Sequence, residues 1–327
     1  TMKHRLFILL SLFTLASLTL AACGGAAPEP PSATEPAASA ATEAPAASFS
    51  GTAVISFVQQ PTTLSPLYQT QWFSSITTQF WLKSLWSFDP DNKPVPEIAA
   101  EIPSRENGGL SEDGKTLTIK LREDVLWSDG EPVTANDFVF TYDMFMADSN
   151  IVNSRYPYED YVEGMEAPDD HTLVVHFNAP FAAWLTSLFI TGAIPEHILR
   201  PVFEADGTLD NAEWNTAPTV GVGPFVFKEW EADSHIIFEA NPNWIHPPKL
   251  QQIFIRMADD SAQEVSILAG DADIGTFLDW SQAAAINDSG KAKFVTQPSG
   301  YDEGWFLNFD PATAHPAMLD VNVRKAI

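Results

Sequence analysis

GVGPFVFKEWEADSHIIFEANPNWIHPPKLQQIFIRMADDSAQEVSILAGDADIG, residues 221–275, is the stretch from which the fold can be read. Phe225 and Phe227 share one face of an extended segment. After a turn at residues 231–234, Ile236 and Phe238 share a face of the returning one, which is the period of a β-hairpin. The run IFIRM (253–257) is too short for a helix and reads as a buried strand. Asp259 or Asp260 can cap the helix spelled by SAQEVSILAG, and Gly270 suits its left-handed end. A strand at 272–277 completes a strand–helix–strand unit, for which a right-handed crossover is expected.

Upstream, residues 52–58 alternate with both faces largely apolar, which favours a sheet covered on both sides. The three strands 52–58, 253–257 and 272–277 should share one mixed sheet. Residues 74–85 suit a helix with Ile76, Phe80 and the segment 83–85 along one side. In LSEDGKTLTIKLREDVLWSDGEPVTANDFVFTYDMF (110–145), turns at Asp113-Gly114 and Asp129-Gly130 flank a strand that points Leu117, Ile119 and Leu121 inward. Thr134 and Asp137 then spell a variant capping box ahead of a helix carrying Phe138, Tyr142 and Phe145 at core spacing. A strand at 173–177 follows the turn Asp169-Asp170-His171, and Pro195 opens a short helix at a first-turn position.

Three blocks in order carry a family resemblance. They are GxGPFxFKEW with the later NPNW and AGDADI, the 110–145 segment just quoted, and NVRKAI at 322–327. The minor segments PVPEIA (residues 94–99) and the loop 59–66 agree with it. Together they resemble the solute-binding proteins of ABC importers, family 5, whose members take oligopeptides, dipeptides, nickel complexes and some oligosaccharides. The resemblance implies an α/β, class II periplasmic-binding-protein fold with an extra subdomain. It further implies a first lobe only, the second lobe being truncated. On this reading residues 50–70 plus 218–300 form the core subdomain of lobe I and 71–217 its inserted subdomain. Residues 301–327 hold a hinge strand (304–309) and the start of lobe II, and the segment 312–327 is expected to pack poorly.

The N-terminal end reads as an export signal. Lys3, His4 and Arg5 precede an apolar run at 6–20 that is short for a bilayer span and has the flanks of a signal peptide, residues 1–22. Small residues leading directly into Cys23 resemble the bacterial lipobox, in which the cysteine becomes the lipidated N-terminus. Cys23 is the chain's single cysteine, so no thiol is left for disulfides or thiol catalysis. Residues 23–48 are almost wholly Ala, Pro, Glu, Ser, Thr and Gly and read as a disordered tether, because they offer too little apolar surface to offset ordering entropy. The expected location is the outer face of the bacterial cytoplasmic membrane, reached by export and held by lipid.

Net charge is −26, which argues against nucleic acid and polyanionic partners. The chain has no GxSxG elbow or HExxH motif, and GLSEDGKT at 109–116, though it fits the P-loop spelling, runs through the Asp113-Gly114 turn into a strand where a P-loop needs a helix. Its seven histidines are scattered, and Asp89-x-Asp91-Asn92 has too few ligands for calcium. An enzyme, a cofactor and a metal site are therefore not expected. A secreted hydrolase and an adhesive lipoprotein are the competing classes, and neither has its hallmark residues or repeats.

In open α/β sheets ligands sit beyond the carboxyl ends of strands. That rule nominates Gln59, Gln60 and Thr63 after the first strand, and Thr276 and Phe277 after the last, with Tyr68 and Trp72 from the same loop region. The resemblance adds Trp305 and Asn308 on the hinge strand. It implies a peptide held extended in an interlobe cleft, with an oligosaccharide as the alternative ligand because ten tryptophans offer stacking platforms. It also implies permease subunits as partners, action as a monomer, and weak binding by this chain alone.

Overall fold

The computed structural model describes residues 51–296 and 307–327. The signal segment, Cys23, the tether and Trp305 lie outside the described residues. The strands are β1 (Thr52–Phe57), β2 (Trp86–Phe88), β3 (Pro94–Pro96), β4 (Thr116–Lys120), β5 (Val162–Asp169), β6 (Thr172–Phe177), β7 (Phe225–Glu231), β8 (His235–Ala240), β9 (Gln252–Met257) and β10 (Ile274–Gly275). The helices are α1 (Trp72–Trp81), α2 (Ala135–Met146), α3 (Tyr158–Tyr161), α4 (Trp184–Ser187), α5 (Glu196–Asp206), α6 (Asp260–Ala269), α7 (Ala283–Asp288) and α8 (Val321–Ala326).

The quoted stretch builds most of a five-stranded mixed sheet, ordered β10-β1-β9-β8-β7. β1 pairs in parallel with both β9 and β10, whereas β8 runs antiparallel to its neighbours β7 and β9. The three expected strands therefore do share one sheet, and β1 lies between the other two. Phe227 faces Phe238 across the hairpin with ring centroids 6.1 Å apart, and Ile236, Phe238, Ile253 and Ile255 are buried together. Asp259 caps α6, accepting from the Ala262 amide at 2.9 Å, and Gly270 ends it at φ 86°.

The strand expected over 272–277 is only two residues long. On either side of it side chains contribute to the pairing, although the Asp273 amide still donates to the Val54 carbonyl at 2.9 Å. Asp273 Oδ2 accepts from the Val54 amide at 2.8 Å, and Thr276 Oγ1 donates to the Ser56 carbonyl at 2.8 Å. Phe277 then leaves the sheet at φ 56°, a left-handed conformation costly for a bulky residue.

The expected helix 74–85 is α1, displaced and turned. It buries Phe73, Ser74, Thr77, Thr78 and Trp81 most deeply, with Ile76 and Phe80 half-buried against the core beside them, Phe80 6.1 Å from Phe238. The buried hydroxyls remain satisfied because Thr77 donates to the Phe73 carbonyl (2.6 Å) and Thr78 to the Ser74 carbonyl (2.8 Å). After Trp81 the chain goes straight because Lys83 N–H donates to the Val222 carbonyl at 2.6 Å. Gly221 and Gly223 allow that contact: a Cβ on Gly221 would stand 2.6 Å from the Trp81 carbonyl oxygen, and one on Gly223 2.7 Å from its carbonyl carbon.

Residues 86–177 supply the hairpin β2–β3 and the antiparallel sheet β4-β6-β5. Leu117, Ile119, Leu173 and Val175 project from it into the core, as do Phe138 and Phe140 of α2. One continuous cluster of buried side chains runs from Ile55 to Ile255 through both sets of strands. Beside it stands Asp137, a buried carboxylate with three donors. Asp137 Oδ2 accepts from the Thr134 amide (2.8 Å), completing the capping box, and from Trp127 Nε1 (3.3 Å); its Oδ1 accepts from the Glu196 amide (2.9 Å). Pro195 stands one residue before α5, as its N-cap, and not inside the first turn.

Of the expected hinge strand, the described residues 307–309 form no strand. The helix expected from Asn322 is α8, and none of its residues is buried. No helix among the described residues is long and apolar enough to cross a membrane.

Candidate ligand site

The cavity against β10 has a volume of about 780 Å³ and lies at the carboxyl end of the parallel strands β1 and β10. Its walls come from the first two turns of α1, Ile267 of α6, the β10 strand and its exit, Trp280 in the turn before α7, Ile286 of α7, and residues 292–296. It lies where the carboxyl-end rule places ligands in open α/β sheets.

A ladder of rings leads from the core to this cavity. Phe57, at the end of β1, is 1% exposed and stands 4.9 Å from Phe73; Phe73 stands 5.4 Å from Phe277; Phe277 meets Trp72 edge-on at 6.0 Å. Exposure rises along it to 43% at Trp72 and 60% at Phe277. Beyond them Trp280, 73% exposed, stands 5.8 Å from Phe294. Exposed rings fixed at one end by a buried neighbour give apolar contact surface at low entropic cost. The charged lining residues are Asp273, whose carboxylate is tied to the Val54 amide, and Lys293.

The structure brings together three of the nominated residues, Trp72, Thr276 and Phe277. Thr276 serves there by positioning: its amide donates to Gln263 Oε1 at 2.9 Å and its hydroxyl to the Ser56 carbonyl. The β1 exit loop turns away from the cavity. Gln60 exchanges two hydrogen bonds with Asp233 in the β7–β8 turn (2.8 and 2.9 Å), and Thr63 donates to the Asn215 carbonyl at 2.8 Å. Gln59 is exposed outside the cavity lining. Tyr68 is partly buried, and burial, with the Asp210 carboxylate adding to it, pushes its phenol far up. Asn308 is exposed and bonds within its own turn, to Thr313 Oγ1 and the Asp310 amide.

Trp280 and Phe294 escape a reading that stops at the strand's exit. The signal for Trp280 is in the sequence: Asp279 and Gln282 form a capping box around it, leaving the indole on the outer side of that turn.

Known proteins agree with this architecture. Residues 93–327 match the family described as bacterial extracellular solute-binding proteins, family 5 (middle). Protein XP55 of Streptomyces lividans is 31% identical over 285 residues, covering 82% of this chain and 49% of its own length. The oligopeptide-binding protein AppA of Bacillus subtilis, solved in complex with a nonapeptide, superposes with a TM-score of 0.66 at 25% identity, covering 74% of this chain and 46% of its own. NikZ from Campylobacter jejuni, solved with Ni(L-His), gives 0.64 at 23% identity over 72% of this chain and 45% of its own, which speaks to the fold alone. The chain thus spans about half the length of these relatives. With the matched segment covering most of the chain, it belongs to the family 5 bacterial extracellular solute-binding proteins, with their mixed α/β periplasmic-binding fold.

Proposed function

We propose that this protein captures peptides outside the cytoplasm for an ABC importer and is tethered to the membrane by lipid on Cys23. The observation that carries the peptide reading is the position of β10. It is an edge strand, laddered to β1 on one side only, and it lines the cavity between exposed aromatic side chains. An extended peptide adds to such an edge through main-chain hydrogen bonds while rings hold its side chains loosely. Support also comes from AppA, whose structure holds a nonapeptide. The importer role rests on family membership: a second lobe closes over the ligand by hinge motion and the closed form docks on the permease. The domain plan, with core subdomain 50–70 plus 218–300 and insertion 71–217, belongs to the same proposal.

Calorimetric titration of the protein with di- to pentapeptides, backbone N-methylated versions and short β-linked oligosaccharides tests it. Peptides should bind, only weakly to this chain alone, and N-methylation should weaken them further. The oligosaccharide reading is favoured by the two exposed tryptophans, Trp72 and Trp280, at the cavity. Sugar binding without peptide binding would replace the peptide reading by that one. For the anchor, Cys23→Ala should move the protein from the membrane fraction to the soluble one; unchanged retention and mass would refute lipidation.

A further inference from the structure

The hairpin β7–β8 forms the other side of the sheet from the cavity, three strands removed from β10. On it Glu231 pairs directly with His235 across the strands, and Glu229 lies two residues back on the same face. His235 Nε2 is 2.9 Å from Glu229 Oε1, and its Nδ1 is 3.7 Å from Glu231 Oε2. One ligand atom from each of the three residues lies within 4.8 Å of the other two, and this is the one such triplet among the described residues. The other histidine–carboxylate pairs there, His176 with Glu166 and His197 with Asp129, have a single carboxylate each.

We infer that Glu229, Glu231 and His235 form a binding site for a divalent transition-metal ion, on a face that does not line the solute cavity. One imidazole and two carboxylates are a donor set suited to zinc or its neighbours, leaving a position for water. Metal–ligand bonds of about 2.1 Å put tetrahedral ligands about 3.4 Å apart. Glu229 Oε1 is already within that spacing of Nε2, whereas Glu231, beside Nδ1, has to swing round the ring edge to join it.

The imidazole is already held in place. Its plane stacks on Phe254 at 4.9 Å and 15°, and its side chain is only 16% exposed. Ser234 Oγ stands 2.8 Å from Nδ1, which leaves Nε2, beside Glu229, as the ligating nitrogen. Such an outer partner fixes ring orientation in metal sites. The turn carrying Ser234 is clamped in its turn by the paired Gln60–Asp233 hydrogen bonds. Two cations are nearby: Lys228 is engaged with Glu239 at 3.6 Å, and Arg256 pairs opposite His235 on β9.

Equilibrium dialysis of the chelator-stripped protein against Zn²⁺, with Ca²⁺ as competitor, tests the site. One saturable equivalent that resists Ca²⁺ is expected. His235→Ala and the double variant Glu229→Gln/Glu231→Gln should lose it, Ser234→Ala should weaken it about tenfold, and His176→Ala should leave it unchanged. Circular dichroism of each variant separates loss of a ligand from loss of fold. Absence of saturable binding, displacement by equimolar Ca²⁺, or retention of the equivalent in folded His235→Ala would overturn the inference.

Discussion

Asp137 and the rim of the β10 cavity stand at opposite ends of one design choice. The Asp137 carboxylate is buried, and firm hydrogen bonds from three elements converge on it: the amide before α2, the first amide of α5 and the Trp127 indole. The rim keeps large apolar rings in solvent and holds Phe277 in a left-handed conformation that a β-branched or aromatic residue adopts at a cost. A polar group is buried where it joins elements, and apolar groups are exposed where a ligand can cover them. The first arrangement serves stability, and the second spends some of it on a surface for binding.

The largest effect should follow from removing the buried acceptor. Asp137→Ala leaves the Thr134 and Glu196 amides and the Trp127 indole without their partner, and we expect a loss of about 3–5 kcal/mol, at one or more kcal/mol for each stranded donor. Urea denaturation measures it; a loss below about 1 kcal/mol would mean that water replaces the carboxylate and that the junction is no organising point. Next comes Gly221→Ala, whose Cβ would meet the Trp81 carbonyl at 2.6 Å and the indole at 2.6 Å. Overpacking of this kind costs about 1–3 kcal/mol, read from the same denaturation curves.

The pH response should distinguish the buried carboxylate from the exposed ones. Burial raises the Asp137 carboxyl above its ordinary value, although its hydrogen bonds oppose the shift. Its folded form therefore holds the proton more tightly than the unfolded chain does. That contribution to stability is fully present below the unfolded pKa and is lost as pH rises through the raised folded value. The stability difference between the wild type and Asp137→Asn should accordingly be greatest in acid and shrink towards neutrality. Asp259 has the opposite sign: bonds from Ser261 and the Ala262 amide lower its carboxyl, so its contribution is present above the unfolded value and is lost as pH falls. Thermal melts of the Asp137→Asn and Asp259→Asn variants between about pH 3 and pH 7 should show slopes of opposite direction; parallel slopes would contradict the assignment.

The smallest effect on stability is expected at the rim. Trp280→Ala removes a ring that is 73% exposed and should change unfolding by about 0.5 kcal/mol or less. It should weaken solute binding about tenfold, as loss of an aromatic anchor does. Unchanged affinity would take Trp280 out of the site and narrow the comparison to Trp72 and Phe277.

Local pattern decided much of this protein. Alternation placed β1, β4 and the hairpin β7–β8; Asp259, Gly270 and the Thr134–Asp137 box set helix ends, because caps and turns are governed by residues next to one another in the chain. The family blocks at 221–275 and 110–145 were legible for the same reason. Of the candidate site, Trp72, Thr276 and Phe277 were legible from the carboxyl-end rule, which requires only the strands' direction and order. Tertiary structure decided the rest. The inner face of α1 carries serine and threonine because back-bonding to the preceding turn satisfies hydroxyls that a hydrophobic pattern assigns to solvent. α1 stops at Trp81 because Val222, more than a hundred residues away, takes the Lys83 amide, and β10 is short because the Asp273 and Thr276 side chains supply bonds to β1 beside it. Gln60 and Thr63 were drawn from the cavity by Asp233 and Asn215, and the Glu229–Glu231–His235 triplet arises only from hairpin register. The α1 stop, the short β10 and the capture of Gln60 and Thr63 rest on contacts between distant residues, which residue spacing does not encode; the α1 back-bonds and the triplet are local but take their meaning from which face is buried and how the hairpin is registered.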